Sequence, residues 1–377
     1  MPFADELISP DVATALSSSI QSAIPERRLS ELPQLSGALD GMSLRERADL
    51  LRDGLLADVP GDYRALADVV RSARDLDSGF TGWMIWPVTS AIATRATQEN
   101  TAAAFADAMA LLAELTHKLT SEFAIRTLLR HDLDRALAVI TDWTKSPDEH
   151  VRRLASEGTR PYLPWAVRVP EITQHPGVTV AILDALYRDD SAYVRRSVAN
   201  HLNDLSRDAP DLAVETAQRW FEAPAPATAT LVRHGLRTLI KKGHPGALAL
   251  LGFAPATVDV DGPNVTDTQV PWGGDVHFSA VLRNTGTEHA RLSIDYIIEY
   301  LKANGTLSAK VFKLAQRDLA PGAEVVIDRK HSFRPLTTRR YYPGGHTLAL
   351  QVNGIRTHPA AFELLPADAQ TALPAES

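Results

Sequence analysis

The period of the apolar positions changes once along the chain, near Gly252. Before that point they recur every three to four residues, as on one face of a helix; after it they alternate, as on a half-buried strand. The segment Ser43-Leu-Arg-Glu-Arg-Ala-Asp-Leu-Leu-Arg-Asp-Gly-Leu-Leu predicts a helix capped by Ser43, and Glu46 three residues later completes a capping box. Asp62-Tyr-Arg-Ala-Leu-Ala-Asp-Val-Val-Arg keeps the same period. Gly82-Trp-Met-Ile-Trp-Pro-Val sets two tryptophans three apart and reads as an apolar anchor between helices. From Glu99 to Pro245 the pattern predicts helix pairs: 101–117 with 121–130, 131–144 with 147–160, 175–188 with 191–207, and 210–222 with 226–242. The breaks Lys145-Ser-Pro-Asp, Arg207-Asp-Ala-Pro and Ala223-Pro-Ala-Pro supply proline where a helix starts.

A short phrase recurs within the helical region. Val-Arg-Arg begins at Val151 and again at Val194, 43 residues apart, with a looser copy at Val232. A repeat of about 40 to 47 residues built from helix pairs predicts HEAT or armadillo units. One such pair cannot bury its apolar face alone, so the pairs must stack. Beyond Gly252, Val276, Phe278, Ala280 and Leu282 alternate with polar residues, as do Leu292 to Tyr300 and His346 to Val352. Turn signals fall at Asn284-Thr-Gly, Asn304-Gly, Pro321-Gly and Pro343-Gly-Gly. Some seven strands in about 110 residues predict an immunoglobulin- or fibronectin-like sandwich. The expected architecture is mainly α: a HEAT-like α-solenoid over 1–252, a C-terminal all-β immunoglobulin-like sandwich over 253–366, and a disordered tail over 367–377.

Composition narrows the chemistry. The chain has 377 residues and no cysteine, which removes disulfides, thiolate metal sites and cysteine nucleophiles. The start, Met-Pro-Phe-Ala-Asp-Glu, carries acids where a secretory signal carries bases, and no apolar run reaches the roughly 18 residues a membrane span needs. The expectation is a cytoplasmic protein with no membrane partner. The net charge of −7 argues at first against nucleic acid, but residues 1–120 alone hold 10 Lys+Arg against 17 Asp+Glu. The middle of the chain is near neutral and can still present a basic face. No phosphate-binding glycine loop and no zinc-ligand spacing occur, so neither a metal nor a cofactor is expected.

Three acids stand at repeat spacing: Glu122, Glu157 and Asp204, separated by 35 and 47 residues. Residues about one repeat apart fall on the same face of neighbouring units, so the three can converge. Gly158 and Pro161 turn the chain after Glu157 and bring Trp165 round toward it. Singly, each acid reads as a solvated helix residue or an ion-pair partner; together they read as one site rimmed by Arg152, Arg153 and Arg160. The arginines also have a structural reading, in ladders between repeats, with Asp148 and Asp190 as candidate partners. Adjacent helical residues point about 100° apart. One arginine of each pair, Arg152/Arg153 and Arg195/Arg196, is therefore expected to be structural and the other free to meet phosphate. Lys241 and Lys242 extend the basic line.

The phrases Thr120-Ser-Glu-Phe-Ala-Ile-Arg126, His150-Val-Arg-Arg-Leu-Ala-Ser-Glu-Gly-Thr-Arg-Pro161, Leu163-Pro-Trp-Ala166 and Val194-Arg-Arg-Ser-Val-Ala-Asn-His-Leu-Asn-Asp204 resemble the DNA alkylation repair glycosylases built from HEAT-like repeats. The similarity is closer to the AlkC branch than to AlkD. It covers roughly residues 40 to 250, and some members of that branch carry a C-terminal immunoglobulin-like domain. The resemblance implies a monofunctional glycosylase that removes 3-methyladenine and 3-methylcytosine from double-stranded DNA without base flipping, as a monomer at the bacterial nucleoid. It places the acidic site on Glu157, Glu122 and Asp204 beside Trp165. It makes Arg126, Arg152, Arg153, Arg160, Arg195, Arg196, Arg233, Lys241 and Lys242 the DNA-contact candidates; Lys330, Arg334, Arg339 and Arg340 of the sandwich could add further phosphate contacts. The alternative from another class is a non-catalytic HEAT scaffold that binds DNA or protein.

Overall fold

The computed structural model describes residues 4–337 and 339–367. The expected tail over 367–377 lies, after its first residue, outside them. Two compact units divide the chain at Leu236/Arg237.

The first unit is helical. It holds α1 (Ala4–Leu7), α2 (Pro10–Ala23), α3 (Leu32–Leu35), α4 (Leu44–Asp58), α5 (Tyr63–Leu76), α6 (Ile85–Glu99), α7 (Ala102–Leu115), α8 (Ile125–His131) and α9 (Leu133–Trp143). It continues with α10 (Glu149–Glu157), α11 (Pro170–Gln174), α12 (Val180–Leu186), α13 (Ala192–Leu205), α14 (Pro210–Glu222) and α15 (Thr228–Gly235). The helix starts follow capping chemistry. Ser43 and Glu46 form both halves of the expected capping box on α4. The two Val-Arg-Arg helices begin alike: Asp148 accepts from the His150 N–H at α10, and Ser191 accepts from the Tyr193 N–H at α13.

The second helices of the pairs stack on one another, α6 on α8 and α10 on α13 on α15. Each buries its apolar stripe, as with Val151, Leu154 and Ala155 of α10 and Val194, Val198 and Leu202 of α13. Gly235 lets α15 come close to α13, since a Cβ there would lie 2.7 Å from Leu202 Cδ2. The single helix expected over 226–242 ends instead at Gly235.

The second unit starts with α16 (Arg237–Lys242) and α17 (Pro245–Leu250). The unit boundary thus falls ahead of the change in period at Gly252. The reason is local packing: Gln351 Nε2 donates to the Lys241 carbonyl, and the backbones of Gly243 and Gly354 touch. The strands are β1 (Val258–Val265), β2 (Gln269–Val270), β3 (Asp275–Asn284), β4 (Ala290–Leu301), β5 (Leu307–Leu319), β6 (Glu324–Ser332), β7 (Gly344–Val352), β8 (Ile355–Arg356) and β9 (Ala360–Leu364). One sheet has the order β1-β3-β6; the other runs β2-β9-β7-β4-β5, with β8 on β7. The alternating residues meet in one core that includes Phe278, Leu282, Ile294, Ile298, Leu348 and Leu350. This is the immunoglobulin-like sandwich.

Candidate active site

Glu122, Glu157 and Asp204 come together in the first unit, each less than a tenth exposed. Glu122 lies just before α8, Glu157 ends α10, and Asp204 is in the last turn of α13. They are threaded by two arginines. Arg153 Nη1 donates to Glu122 Oε2 at 2.6 Å, and its Nη2 lies 3.7 Å from Glu157 Oε1. Arg160 Nη1 donates to Glu157 Oε1 at 2.5 Å, and its Nε to Asp204 Oδ2 at 2.9 Å. The order is acid, base, acid, base, acid, which leaves one net negative charge in a buried row. Thr120 Oγ1 adds a bond to Glu122 at 2.9 Å.

Burial governs the ionisation here. It pushes the Glu122 carboxyl up, Arg153 pulls against it, and the charge of Glu157 adds to the rise. For Arg153 and Arg160 burial is the largest single influence and favours the neutral form, but their carboxylates together outweigh it and hold both guanidiniums charged. His201, fully buried on α13, is pushed down to about 3 and stays neutral; its ring nitrogens face the Ser156 carbonyl at 2.9 Å and Thr179 Oγ1 at 3.0 Å.

Trp165 is 40% exposed and sits in the left-handed region at φ 60°, where a bulky side chain is strained. Arg45 of α4 donates to its carbonyl. Its ring meets Trp83 edge-on, with centroids 6.3 Å apart; Trp83 lies 6.4 Å from Trp86, which stacks at 4.0 Å on Phe123. The aromatic row therefore ends at the residue next to Glu122. The reading of Trp83 and Trp86 as an anchor describes Trp86, which is buried; Trp83 is half-buried and carries Trp165. Tyr193, also 40% exposed, has Arg153 Cζ 4.9 Å from its ring centroid. Spacing marked Trp83 only as part of that anchor and did not mark Tyr193 at all. A half-exposed aromatic at a helix start looks like core in a sequence until its neighbours are known.

The arginine candidates separate by destination. Arg152 and Arg195 are equivalent anchors. Arg152 Nη1 holds the carbonyls of Ser146 and Pro147, and Arg195 Nη1 those of Asp189 and Asp190. Arg152 also forks onto Asp189 at 2.6 and 3.0 Å. The ladder partner is therefore Asp189, whereas Asp148 is spent as a helix cap and Asp190 offers only its carbonyl. Arg126 is fully buried, which corrects its expected placement on a DNA-facing surface. Its Nε reaches the Val167 carbonyl and its Nη1 the Gly158 and Arg160 carbonyls, so it ties both ends of the loop that bears Trp165. Burial, with the charges of Arg168 and Arg160, pushes Arg126 down to about 10. Arg153 and Arg160 belong to the acid row. Arg196, Arg233, Lys241 and Lys242 are exposed. Arg196 lines a hollow of about 480 Å³ between α13 and α15. In the sandwich, Arg339 stacks over Tyr300 and Arg340 over Tyr342, while Lys330 pairs with Asp275.

Among the described residues no cluster of three or more His, Asp and Glu could hold a metal ion, and no helix is long and apolar enough to cross a membrane. What the row offers chemically is a buried, slightly negative surface beside a partly exposed aromatic wall. Such a surface stabilises a developing positive charge.

Comparison with known proteins follows the same division of the chain. Residues 259–366 match the family described as "Uncharacterised protein YhaZ, C-terminal Ig-like domain". The uncharacterized protein YhaZ of Bacillus subtilis (strain 168) is 33% identical over 328 residues, which is 87% of this chain and 87% of that protein. The solved structure of Pseudomonas fluorescens alkylpurine DNA glycosylase AlkC, bound to DNA containing an abasic site analog, superposes with a TM-score of 0.79 at 36% identity, covering 97% of this chain and 100% of that one.

Proposed function

The chain belongs to the AlkC branch of the DNA glycosylases built on HEAT-like repeats, and from that premise we propose that it is a monofunctional DNA glycosylase. It excises cationic N-alkylated bases, 3-methyladenine and 3-methylcytosine, from double-stranded DNA, and it acts without flipping the base. The observation that carries this reading is the buried row Glu122–Arg153–Glu157–Arg160–Asp204, with its one unbalanced negative charge.

A base alkylated on a ring nitrogen already carries positive charge and leaves without a general acid. The remaining task is to stabilise the oxocarbenium-like sugar and to position or deprotonate a water, which carboxylates do. Glu157 is the proposed catalytic carboxylate, because it is the acid that touches both arginines of the row. Glu122 and Asp204 supply field from either side, and Trp165 shields the sugar from bulk water. Arg196, Arg233 and Lys242 are the proposed phosphate contacts among the expected basic residues.

Release of free base from methylated duplex DNA tests the activity. We expect 3-methyladenine to appear with wild type at low salt and Glu157→Gln to lower the rate by about 10²-fold or more with duplex binding retained. No release by folded wild-type protein would overturn the enzyme reading. Full activity in Glu157→Gln would overturn the assignment of Glu157 alone.

A further inference from the structure

Beside the acid row lies a second cationic feature that the Val-Arg-Arg pattern does not mark. The ring of Tyr162 carries two guanidiniums: Arg168 Cζ is 4.4 Å and Arg207 Cζ 3.8 Å from its centroid. Both arginines are exposed, and among the described residues neither has a carboxylate within ion-pairing distance. Arg168 Nη1 is further fixed on the Pro161 carbonyl at 2.9 Å. The Tyr162 hydroxyl donates to Asp208 Oδ2 at 2.6 Å, which sets the ring and places the one opposing charge. Beneath the same loop, Arg126 adds a buried positive charge that is hydrogen-bonded to carbonyls and partly offset by the charge of Asp204. The cations of this corner therefore outnumber its acid.

Two properties distinguish this corner from ordinary surface arginines. First, stacking on one ring removes much of the rotamer freedom that an arginine gives up when it binds, so the donors are held in advance. The two Cζ atoms are no more than about 8 Å apart, and guanidiniums are strong donors to phosphate oxygens. Second, the corner is fastened to the acids. Arg207 N donates to the Asp204 carbonyl at 3.1 Å, and Tyr162 follows by two residues Arg160, whose Nε is on Asp204. A backbone phosphate held here would fix the adjoining sugar against the carboxylate row.

We propose that Arg168 and Arg207, held by Tyr162, form a seat for one DNA phosphodiester, the one flanking the nucleotide presented to Glu157. The proposal rests on the glycosylase reading and adds to it the group that registers the lesion against the acids.

The test is duplex binding with single methylphosphonate substitutions around an abasic-site analogue, read for wild type and for the double variant Arg168→Gln/Arg207→Gln. Wild type should lose about tenfold in affinity when one phosphate beside the lesion is neutralised. The double variant should lose a similar factor on the native duplex and become indifferent to that same neutral position, with a salt slope shallower by about 1. Tyr162→Ala should weaken binding although both arginines remain, and Tyr162→Phe, which keeps the ring but loses its bond to Asp208, should weaken it less. A double variant that keeps wild-type affinity and slope, or that stays as sensitive as wild type to every neutral phosphate, would overturn the seat. That outcome is distinct from a wild type that neither binds the duplex nor releases base, which would overturn the glycosylase reading itself.

Discussion

Replacing Arg153 with methionine removes the counter-charge that Glu122 and Glu157 share. The Arg153 side chain is 16% exposed and that of Glu122 11%, so solvent can rescue little of the charge left behind. Breaking one side of a buried ion pair costs about 3 to 5 kcal/mol. The residual exposure puts this case at the low end, near 3 kcal/mol, with the lost contact to the Tyr193 ring inside that figure. For a unit of the size of Met1–Leu236, about 2–4 °C per kcal/mol applies; the melting temperature of the helical unit should fall by about 6–12 °C at pH 7. The sign with pH follows from Glu122. Its carboxyl is raised by burial already in the wild type, with Arg153 opposing, so the variant raises it further. A folded-state carboxyl above its unfolded value binds more protons in the folded state, and that mismatch destabilises increasingly as pH climbs past the unfolded value. The gap between variant and wild type should therefore narrow on acidification from pH 7 to pH 5. Adding Glu122→Gln to Arg153→Met should recover some of the loss. Thermal unfolding at both pH values, followed by tryptophan fluorescence, reads all of this. A loss below about 1 kcal/mol, a gap that does not change with pH, or a double variant no steadier than the single one would refute the buried-row electrostatics.

The two arginines of the second repeat should come apart: Arg195→Ala, which frees two loop carbonyls, should cost about 1–2 kcal/mol of stability, while Arg196→Ala should leave unfolding unchanged and flatten the salt dependence of duplex binding by about 1. In the sandwich, burial holds His331 down at about 4, and its ring bonds Tyr296 at 3.0 Å and Tyr300 at 2.7 Å. The unfolded chain then binds more protons at this histidine between pH 4 and 6.5, so the stability of wild type relative to His331→Phe, read by urea unfolding of the β-domain, should drop as pH falls through that window, by at most about 3 kcal/mol; the opposite drift from Asp295, which burial raises to about 6, is common to both proteins and cancels in the comparison. At Gly354, with φ 86°, an added Cβ would fall 2.3 Å from the Gly243 carbonyl oxygen; Gly354→Ala should lower the thermal midpoint of the second unit by several degrees, whereas Gly305→Ala, with open space around it, should act only through its own φ of 77°.

How much of this was legible in the sequence differs from residue to residue. Ser43 and Glu46 announced their capping box because both partners lie within one turn. The acids were legible by repeat arithmetic: a stack of similar units turns spacing along the chain into proximity. The alternation at Val276 to Leu282 and Leu292 to Ile298 named the sandwich core almost residue by residue. The arginines were not legible, because their fate depends on which way a long side chain leaves the helix. Spacing required Arg152 and Arg153 to diverge, but only the loop at Ser146 and Pro147 decides that Arg152 is the anchor. Asp189, Asp190 and Asp148 differ in composition by nothing, and only geometry makes Asp189 the partner. Arg126 sits on the polar side of no recognisable stripe, and its burial follows from three carbonyls that a distant loop brings to it. β5 hid for another reason: its faces alternate poorly, half-buried on both sides.

The anchoring arginines bear on the charge that first argued against DNA. A net charge of −7 counts Arg152, Arg195 and Arg126 as equals of Arg196 or Arg207, yet the first three spend their donors on carbonyls and Asp189, while the last two are exposed. The acids divide in the same way: Glu122, Glu157 and Asp204 are buried against two arginines, so most of their field is cancelled at long range and survives only at contact. Under the proposed reading this is the useful arrangement. Three unpaired carboxylates would repel the phosphate backbone before the sugar arrived. Paired to within one charge, they leave the approach to the exposed cations and act on the cationic nucleoside once it is within a few ångströms. The reading therefore requires that neutralising Arg160, unlike neutralising Glu157, weaken duplex association and slow its on-rate at low salt; an unchanged on-rate for Arg160→Met would show that the row does not screen the approach.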